Sequence, residues 1–207
     1  MSEHYFTRRP QSAEDRRRFQ TELRGFSFLF VTDAGVFSRD DVDEGSRTLI
    51  GLMELAPGAR VLDIGCGYGP IGLAAARLAP QGHVTMTDIN ERAAELAREN
   101  ARLNGIANVT VKTGDLFEPV AGETFDVILA NPPIRAGKPV VYRLFEEARA
   151  HLVPGGAFWV VVHNKQGAPS ARAKLKELFG EDAVEEIGKN KGYRVYRAVR
   201  FSGRKNI

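Results

Sequence analysis

The sequence predicts an α/β protein built on a doubly wound, mostly parallel sheet of seven strands. Three observations lead to this fold class. From residue 60 onward, short apolar segments alternate with longer segments of helical spacing, which is the pattern of repeated βα units. Glycine-rich or proline-containing turns separate many of these segments. The last two strand-like segments lie too close together for a crossover helix, so we expect an antiparallel hairpin at one edge of the sheet.

The first 43 residues are predicted to form a small extension, followed by a single domain over residues 44–207. The apolar, β-prone residues 26–32 precede residues 33–35, which have turn chemistry, so we expect a hairpin that pairs residues 26–32 with residues 36–38. Residues 45–55 have helical spacing and end before a Pro-Gly pair. A chain of 207 residues has room for one domain with an extension, and not for a second enzyme domain.

Each remaining element carries its own signal. The first strand ends in glycines before an Ala/Leu-rich helix, and the next helix begins at the N-cap Asn90 and ends at Asn104-Gly105. The expected strands are residues 60–65, 83–88, 109–114, 125–133, 157–163, 183–188 and 193–201. The expected helices are residues 70–79, 90–105, 141–152 and 170–180, with Pro-Gly-Gly at 154–156 ending the third and the closing hairpin turning at 189–192.

Charge is distributed unevenly along the chain. Lys and Arg number 29 against 26 Asp and Glu, a net charge of only +3. After Glu186 no residue is acidic, and the part of the chain before this tail has 22 basic against 26 acidic residues. We interpret the tail either as a solvated face or as a surface that contacts RNA phosphates. Its seven basic residues are Lys189, Lys191, Arg194, Arg197, Arg200, Arg204 and Lys205.

Composition excludes several classes of protein. With 43% hydrophobic and 27% charged residues, the chain has the composition of a globular protein. It has no apolar run long enough to cross a bilayer and no signal peptide, so we expect a cytoplasmic protein without a membrane partner. The single cysteine, Cys66, excludes an internal disulfide framework. No metal site is predicted, because the histidines form no ligand pattern: His4, His83, His151 and His163.

A glycine-rich loop follows the first strand of the domain, where ligands bind in sheets of this class. Residues 63–72 contain four glycines, which let the backbone turn sharply into a helix with free N–H groups and approach a ligand closely. Residues 67–72 also satisfy the dinucleotide pattern GxGxxG, and Asp88 follows at the spacing of a ribose-binding acid. A nicotinamide- or flavin-dependent enzyme therefore stays open at this point.

Polar residues at the other strand ends favour a different ligand. Asp63 can hold the loop or pair with a cationic amino group, and Asp115 can accept a hydrogen bond from an exocyclic amine such as that of adenine. Asn131 is followed by two prolines, which lack N–H donors, so the carbonyls of Asn131 and Pro132 are expected to be free. These acceptors suit a planar NH₂ group.

The whole set resembles a known family. The chain resembles the class I S-adenosylmethionine-dependent methyltransferases that act on amino nitrogens. The motifs that carry this resemblance are Asp63-x-Gly65-x-Gly67-x-Gly69, the acids Asp88 and Asp115, and the Asn-Pro-Pro-Ile of residues 131–134. The resemblance covers nearly the whole chain. Four segments are more specifically similar to the catalytic domain of small-subunit ribosomal RNA guanine-N2 methyltransferases: residues 35–47, 133–138, 165–168 and 191–195. It implies a Rossmann-like fold whose last strand is antiparallel. It also implies S-adenosylmethionine as methyl donor, S-adenosylhomocysteine as product, and ribosomal RNA or a small-subunit particle as partner.

The resemblance assigns a role to each matching residue. Asn131 and Pro132 would be catalytic and hold the target amine. The cofactor residues would be Asp63 at the amino group, Gly65, Gly67 and Gly69 along the methionine part, Asp88 at the ribose, Ile89 on the adenine, Asp115 at the adenine amine, Leu116 beside it, and Asn131. The substrate residues would be Phe37, Pro133, Ile134, Arg135 and Lys138.

One departure from the family pattern bears on the substrate. Relatives that act on adenine N6 or on glutamine carry an aromatic residue after Asn-Pro-Pro, whereas this chain has Ile134. The residue that stacks on a flipped base is then open, and Phe37 is the candidate. The chain has no room for the additional domain of larger family members. Two alternatives stay open: a methyltransferase acting on protein glutamine or another small amine, and a nicotinamide-dependent oxidoreductase.

Overall fold

The computed structural model describes residues 8, 13 and 15–201, and it contains nine strands and five α-helices within them. The strands are β1 (Arg17–Leu23), β2 (Phe26–Thr32), β3 (Arg60–Ile64), β4 (His83–Asp88), β5 (Val109–Thr113), β6 (Phe125–Ala130), β7 (Leu152–His163), β8 (Val184–Asn190) and β9 (Tyr193–Val199). The helices are α1 (Glu44–Leu52), α2 (Pro70–Leu78), α3 (Glu91–Leu103), α4 (Lys138–Ala150) and α5 (Ala168–Phe179). Among the described residues, the helices are too short or too polar to cross a membrane.

The main sheet confirms the predicted fold class. Its seven strands lie in the order β5-β4-β3-β6-β7-β9-β8, and β9 runs antiparallel to both of its neighbours while the other adjacent pairs are parallel. The strand order reverses between β3 and β6, which are direct neighbours. Loops that leave these two strands diverge to opposite faces of the sheet, and the gap between them is the usual ligand site of such folds.

Both faces of the sheet are covered by helices. The central strands β3 and β6 are buried along almost their whole length, as apolar strands of parallel sheets are. One core cluster contains the inner faces of α1, α2 and α3, and a second contains those of α4 and α5. Because helices cover both faces, a ligand can enter at the edge formed by the carboxyl ends of the parallel strands.

The N-terminal hairpin differs from the expectation. Strand β2 has the predicted bounds, but it pairs with β1 and not with residues 36–38, which lie in a loop. The hairpin turns at Arg24 and Gly25, both at positive φ (54° and 80°), which is the geometry of a two-residue turn that matches strand twist. The arginines at residues 16–18, the last two of which begin β1, obscure the alternation of inward Phe19 and Leu23 with polar residues along the strand.

Two boundaries on the other side of the sheet also differ. Helix α4 begins three residues earlier than expected, because Pro139 lies at its first turn where a missing N–H costs nothing. Strand β7 includes the Pro-Gly-Gly of residues 154–156, which forms an irregularity in its pairing with β6. Gly155 and Gly156 exchange backbone hydrogen bonds with Arg200, so this segment extends the sheet and does not serve only as a helix stop.

Candidate active site

A cavity of about 340 Å³ opens at the carboxyl ends of β3, β4, β5 and β6. It is mostly apolar, with a small number of polar groups that converge on it, as in most small-molecule sites. Most of the residues predicted to bind a cofactor line it, namely Gly65, Gly67, Asp88, Ile89, Asp115, Leu116 and Asn131, together with Pro132 and Pro133. Two of the predicted cofactor residues, Asp63 and Gly69, lie behind this surface and do not line it.

The glycine-rich loop is tied to the end of the neighbouring strand β4. The backbone N–H groups of Gly65 and Cys66 both donate to the Thr87 carbonyl, at 2.8 and 2.9 Å. Gly67 has a positive φ of 58°, which favours glycine, and its N–H donates to a carboxylate oxygen of Asp88 at 2.8 Å. Three hydrogen bonds therefore hold the loop against the end of β4.

Asp88 holds two loops at once. Its other carboxylate oxygen accepts the N–H of Asn90 at 2.8 Å, and Asn90 caps α3 as predicted. Burial raises the pKa of Asp88 from 3.8 to about 6, and the two N–H donors counter part of this rise. A carboxylate has about four acceptor sites, so two remain for hydroxyl groups of a ligand in the cavity.

Asp63 is the most unusual charge of the site. Its side chain is fully buried, and neither carboxylate oxygen forms a hydrogen bond with the described part of the chain. The Gly72 amide lies close enough to counter part of the desolvation without forming a hydrogen bond. Burial, followed by repulsion from Asp88, raises the pKa of Asp63 to about 7. A buried acceptor without a donor suits a cationic or N–H-bearing ligand group nearby.

At the far side of the cavity, Asp115 carries a partner that the sequence did not indicate. Its carboxylate pairs with the guanidinium of Arg143, 2.8 Å away on α4. Leu116 follows with a positive φ of 42° and lines the cavity. The pair is about half exposed, so it orients Asp115 more than it stabilises the fold.

The end of β6 supplies the acceptors that the Asn-Pro-Pro motif predicted, but one of them is partly used within the chain. The Asn131 amide nitrogen donates to Asp43 Oδ1 at 3.0 Å and to Ser46 Oγ at 3.1 Å. Its side-chain oxygen, Oδ1, accepts no hydrogen bond from the described part of the chain and is left for a ligand. The Pro132 carbonyl was expected to be free, but it accepts the N–H of Ile134 at 2.9 Å, so one of its two lone pairs is used.

A second cavity of about 470 Å³ adjoins the first, and Asn131 and Pro132 line both. This second cavity is more polar than the first. Its walls include the predicted substrate residues Phe37, Ile134 and Arg135, and also His163, Gln166 and Tyr193. The rings of His163 and Tyr193 pack edge to face, with centroids 4.8 Å apart. Lys138, the remaining predicted substrate residue, is exposed and lines neither cavity.

Sequence reasoning assigned no role to three residues that hold the site in place. Asp43 and Ser46 form the first turn of α1, and the Asp-x-x-Ser spacing of a helix N-cap is the signal that finds them. Asn100 on α3 bonds both backbone groups of Val31 and the carbonyl of Tyr68, within the glycine loop. A buried asparagine in an alanine-rich helix offers no comparable signal. It connects the N-terminal hairpin to the cavity.

The fold neutralises part of the basic tail. Strand β9 lies beside β8, and this register pairs Arg194 with Glu186 and Arg197 with Glu185, while Lys191 pairs with Glu44. Three of the five described basic residues of the tail are therefore in surface ion pairs, whereas Lys189 and Arg200 form no ion pair within the described residues. Its last two basic residues, Arg204 and Lys205, lie outside the described residues.

Comparison with known proteins identifies what the chain resembles. Residues 27–197 match the family described as methyltransferase small domain. The chain is 48% identical over 201 residues to the uncharacterized protein YbxB of Bacillus subtilis, covering 96% of this chain and 98% of YbxB. It is 37% identical to ribosomal RNA large subunit methyltransferase G of Ectopseudomonas mendocina, over 81% of this chain and 45% of that protein. It is 32% identical to ribosomal RNA small subunit methyltransferase C of Escherichia coli, over 94% of this chain and 56% of that protein.

A solved structure shows the same fold. The 16S rRNA N2 methyltransferase RsmC of T. thermophilus, in complex with AdoMet and guanosine, superposes with a TM-score of 0.80 and 27% identity. The match covers 92% of this chain and 52% of that protein. The chain thus spans about half the length of the ribosomal RNA methyltransferases that it matches and nearly the whole of YbxB.

Proposed function

The chain belongs to the methyltransferase small domain family, and from this premise we propose that it transfers a methyl group from S-adenosylmethionine to the N2 amine of a guanine in small-subunit ribosomal RNA. Family membership excludes the nicotinamide-dependent oxidoreductase that the GxGxxG pattern left open. S-adenosylmethionine is the cofactor of the family.

The observation that carries the proposal is the position of Asn131 and Pro132 between two adjoining cavities. One cavity is lined by Asp88, Asp115 and the glycine loop, and the other has aromatic and polar walls. A methyl donor in the first and an amine in the second meet at the oxygen acceptors of these two residues. Holding two reactants in line in this way contributes on the order of 7–11 kcal/mol in favourable intramolecular reactions.

The residues of the first cavity fit S-adenosylmethionine by their chemistry. The two unused acceptor sites of Asp88 suit the two ribose hydroxyls. Asp63 lies behind the cavity wall, and its buried carboxylate lacks a donor, which an amino group that reaches past the glycine loop would supply. Ile89 and Leu116 supply apolar contact for the adenine, and Asp115 an acceptor for its amine. When bound, the cofactor would supply an activated methyl group, whose bond to sulfur breaks as the bond to the amine nitrogen forms, so that S-adenosylhomocysteine leaves and the nitrogen loses one proton to water.

The protein's part in the reaction is to orient a weak nucleophile. The lone pair of guanine N2 is delocalised into the ring. Hydrogen bonds from its two N–H groups to Asn131 Oδ1 and the second lone pair of the Pro132 carbonyl localise that lone pair on nitrogen. These acceptors are preorganised, because the amide nitrogen of Asn131 is already held by Asp43 and Ser46. The base must first leave its stack to enter the second cavity.

The names of the relatives support an RNA substrate, but they differ in the ribosomal subunit that they specify. The structural neighbour named as an N2 methyltransferase was solved with guanosine, which favours guanine and the small subunit. Relatives that are 36–38% identical are named for the large subunit, so large-subunit ribosomal RNA is the second candidate. A glutamine or small-amine substrate is disfavoured by Ile134, which offers no aromatic surface after the motif.

Arg135 and Lys138 are exposed and form no ion pair within residues 15–201, so they can contact phosphates at the rim.

The test is methyl transfer from S-adenosylmethionine to purified small-subunit RNA, large-subunit RNA and intact small subunits, followed by nucleoside mass spectrometry. We expect N2-methylguanosine in the small-subunit samples. Asn131→Ala should lower the rate at saturating S-adenosylmethionine about 10²–10³-fold, and S-adenosylhomocysteine binding is measured alongside to separate this loss from weaker cofactor affinity. Methylation confined to large-subunit RNA, or to a base other than guanine, would overturn the proposed substrate.

A further inference from the structure

We propose that Asp43 is a positioning residue that fixes the orientation of the Asn131 amide, so that its oxygen and not its NH₂ group meets the target amine. This inference rests on the proposed methylation of an amine. Asp43 lies 88 residues before Asn131 in the chain, at the N-terminus of α1, and it lines both cavities.

The contact is made by one carboxylate oxygen with two tasks. Asp43 Oδ1 accepts the Ser46 N–H at 3.0 Å, which caps α1, and the Asn131 Nδ2 at 3.0 Å. Ser46 Oγ accepts from the same amide nitrogen at 3.1 Å, and Ser46 is buried. Both hydrogens of the Asn131 amide therefore have acceptors on the first turn of α1.

The chemistry of the partners allows only one orientation of the amide. A carboxylate carries acceptors alone, so the group that faces it must be the NH₂. Rotating the amide by half a turn brings its oxygen to about 3 Å from Asp43 Oδ1, where two acceptors repel, and aims NH₂ hydrogens at the hydrogens of the incoming amine. With Asp43 in place, Oδ1 is the atom of Asn131 that remains for the substrate.

Packing keeps this contact close and partly shielded from water. A Cβ atom at Gly45 would come within 3.0 Å of Asp43 Oδ1 and 2.9 Å of the Tyr193 ring, so only glycine allows the helix start to approach both. The Tyr193 ring therefore lies over the same turn that holds Asn131. A charge-assisted hydrogen bond in such a setting is stronger than one between neutral groups.

Three substitutions separate the positioning role from the capping role. Asp43→Ser keeps a good N-cap residue but has a side chain one bond shorter, which cannot reach Asn131. We expect kcat for RNA to fall about 10- to 100-fold, the effect of losing one charge-assisted hydrogen bond, with KM and S-adenosylhomocysteine affinity within about threefold of wild type. Asp43→Asn retains an oxygen acceptor, which the Ser46 N–H keeps in place, but loses the charge, so its kcat should lie between those of Asp43→Ser and wild type. Glu44→Gln removes a charge from the same turn without touching Asn131 and serves as the matched control.

A double-mutant cycle and a spectrum complete the test. In the Asn131→Ala background, Asp43→Ser should cause no further loss of rate, because Asp43 acts through Asn131. The ¹⁵N-labelled side-chain amide of Asn131 should shift and exchange its hydrogens faster in Asp43→Ser, a result that needs no RNA. Unchanged amide resonances, or losses that add in the double variant, overturn the positioning role. A wild-type protein that methylates no RNA overturns the proposed function instead, while the amide resonances still decide the contact.

Discussion

Replacing the buried Asp63 by asparagine should change how stability depends on pH. The folded protein raises the pKa of this carboxyl from 3.8 to about 7, so the folded state binds a proton more tightly than the unfolded chain does. Stability must then fall as pH rises between about 4 and 7, and level off above that range. The full effect is about 3 pKa units, or about 4 kcal/mol.

The measurable part lies between pH 5 and 8. Asp63 lowers the unfolding free energy of the ligand-free protein by about 3 kcal/mol over this interval, whereas Asp63→Asn cannot ionise and loses none of it. Asp88, with a pKa of about 6, adds a decline of the same sign in both proteins. Urea unfolding at several pH values gives both curves, and Asp182→Asn, at an exposed aspartate, is the matched control.

The difference between the two curves of unfolding free energy against pH tests whether Asp63 is ionised at a cost. We expect the variant to gain about 3 kcal/mol on the wild type as pH rises from 5 to 8, roughly 6–12 °C in thermal midpoint for a chain of this size. Curves that decline in parallel would show that Asp63 is ionised at no cost, and that the unpartnered, buried carboxylate has been misinterpreted. An amino group of a bound ligand should reduce the cost, so S-adenosylhomocysteine should stabilise the wild type more at pH 8 than at pH 5.

Three further outcomes can be measured directly. Asp88→Ala should weaken S-adenosylhomocysteine binding by roughly 10-fold or more in calorimetry, because it removes the ribose acceptor and frees the glycine loop; unchanged affinity would place the ribose elsewhere. Asn100→Ala should cost about 2–4 kcal/mol of stability in urea unfolding, since it leaves backbone groups of the hairpin and the loop unpaired. Replacing Arg135 and Lys138 by alanine should reduce the slope of log RNA affinity against log salt concentration by about two counterions. Arg194→Ala, whose partner is a glutamate, should leave this slope nearly unchanged. Equal slopes for both variants would contradict the contact of Arg135 and Lys138 with phosphates.

The sequence predicted the sheet because its signals are local. Strand and helix periods, glycine turns and the Asn90 cap are properties of a few neighbouring residues, and they recover all seven strands of the main sheet. Parallel strands bring their carboxyl ends to one edge, so Asp88, Asp115 and Asn131 were expected to converge, and they line one cavity. The hairpin partner was wrong, because charged side chains on the exposed face of β1 masked an alternation whose meaning depends on packing.

By itself, then, the sequence determined the fold class, the family resemblance and the residues at the strand ends. Only the tertiary structure decided which side chains face one another across long stretches of chain. The pairing of β8 with β9 sets two arginines of the basic tail against glutamates, and the approach of α1 to β6 sets Asp43 against Asn131. Such contacts depend on how distant elements pack, which no local pattern encodes, and they determine which atom of each polar group is left for a ligand.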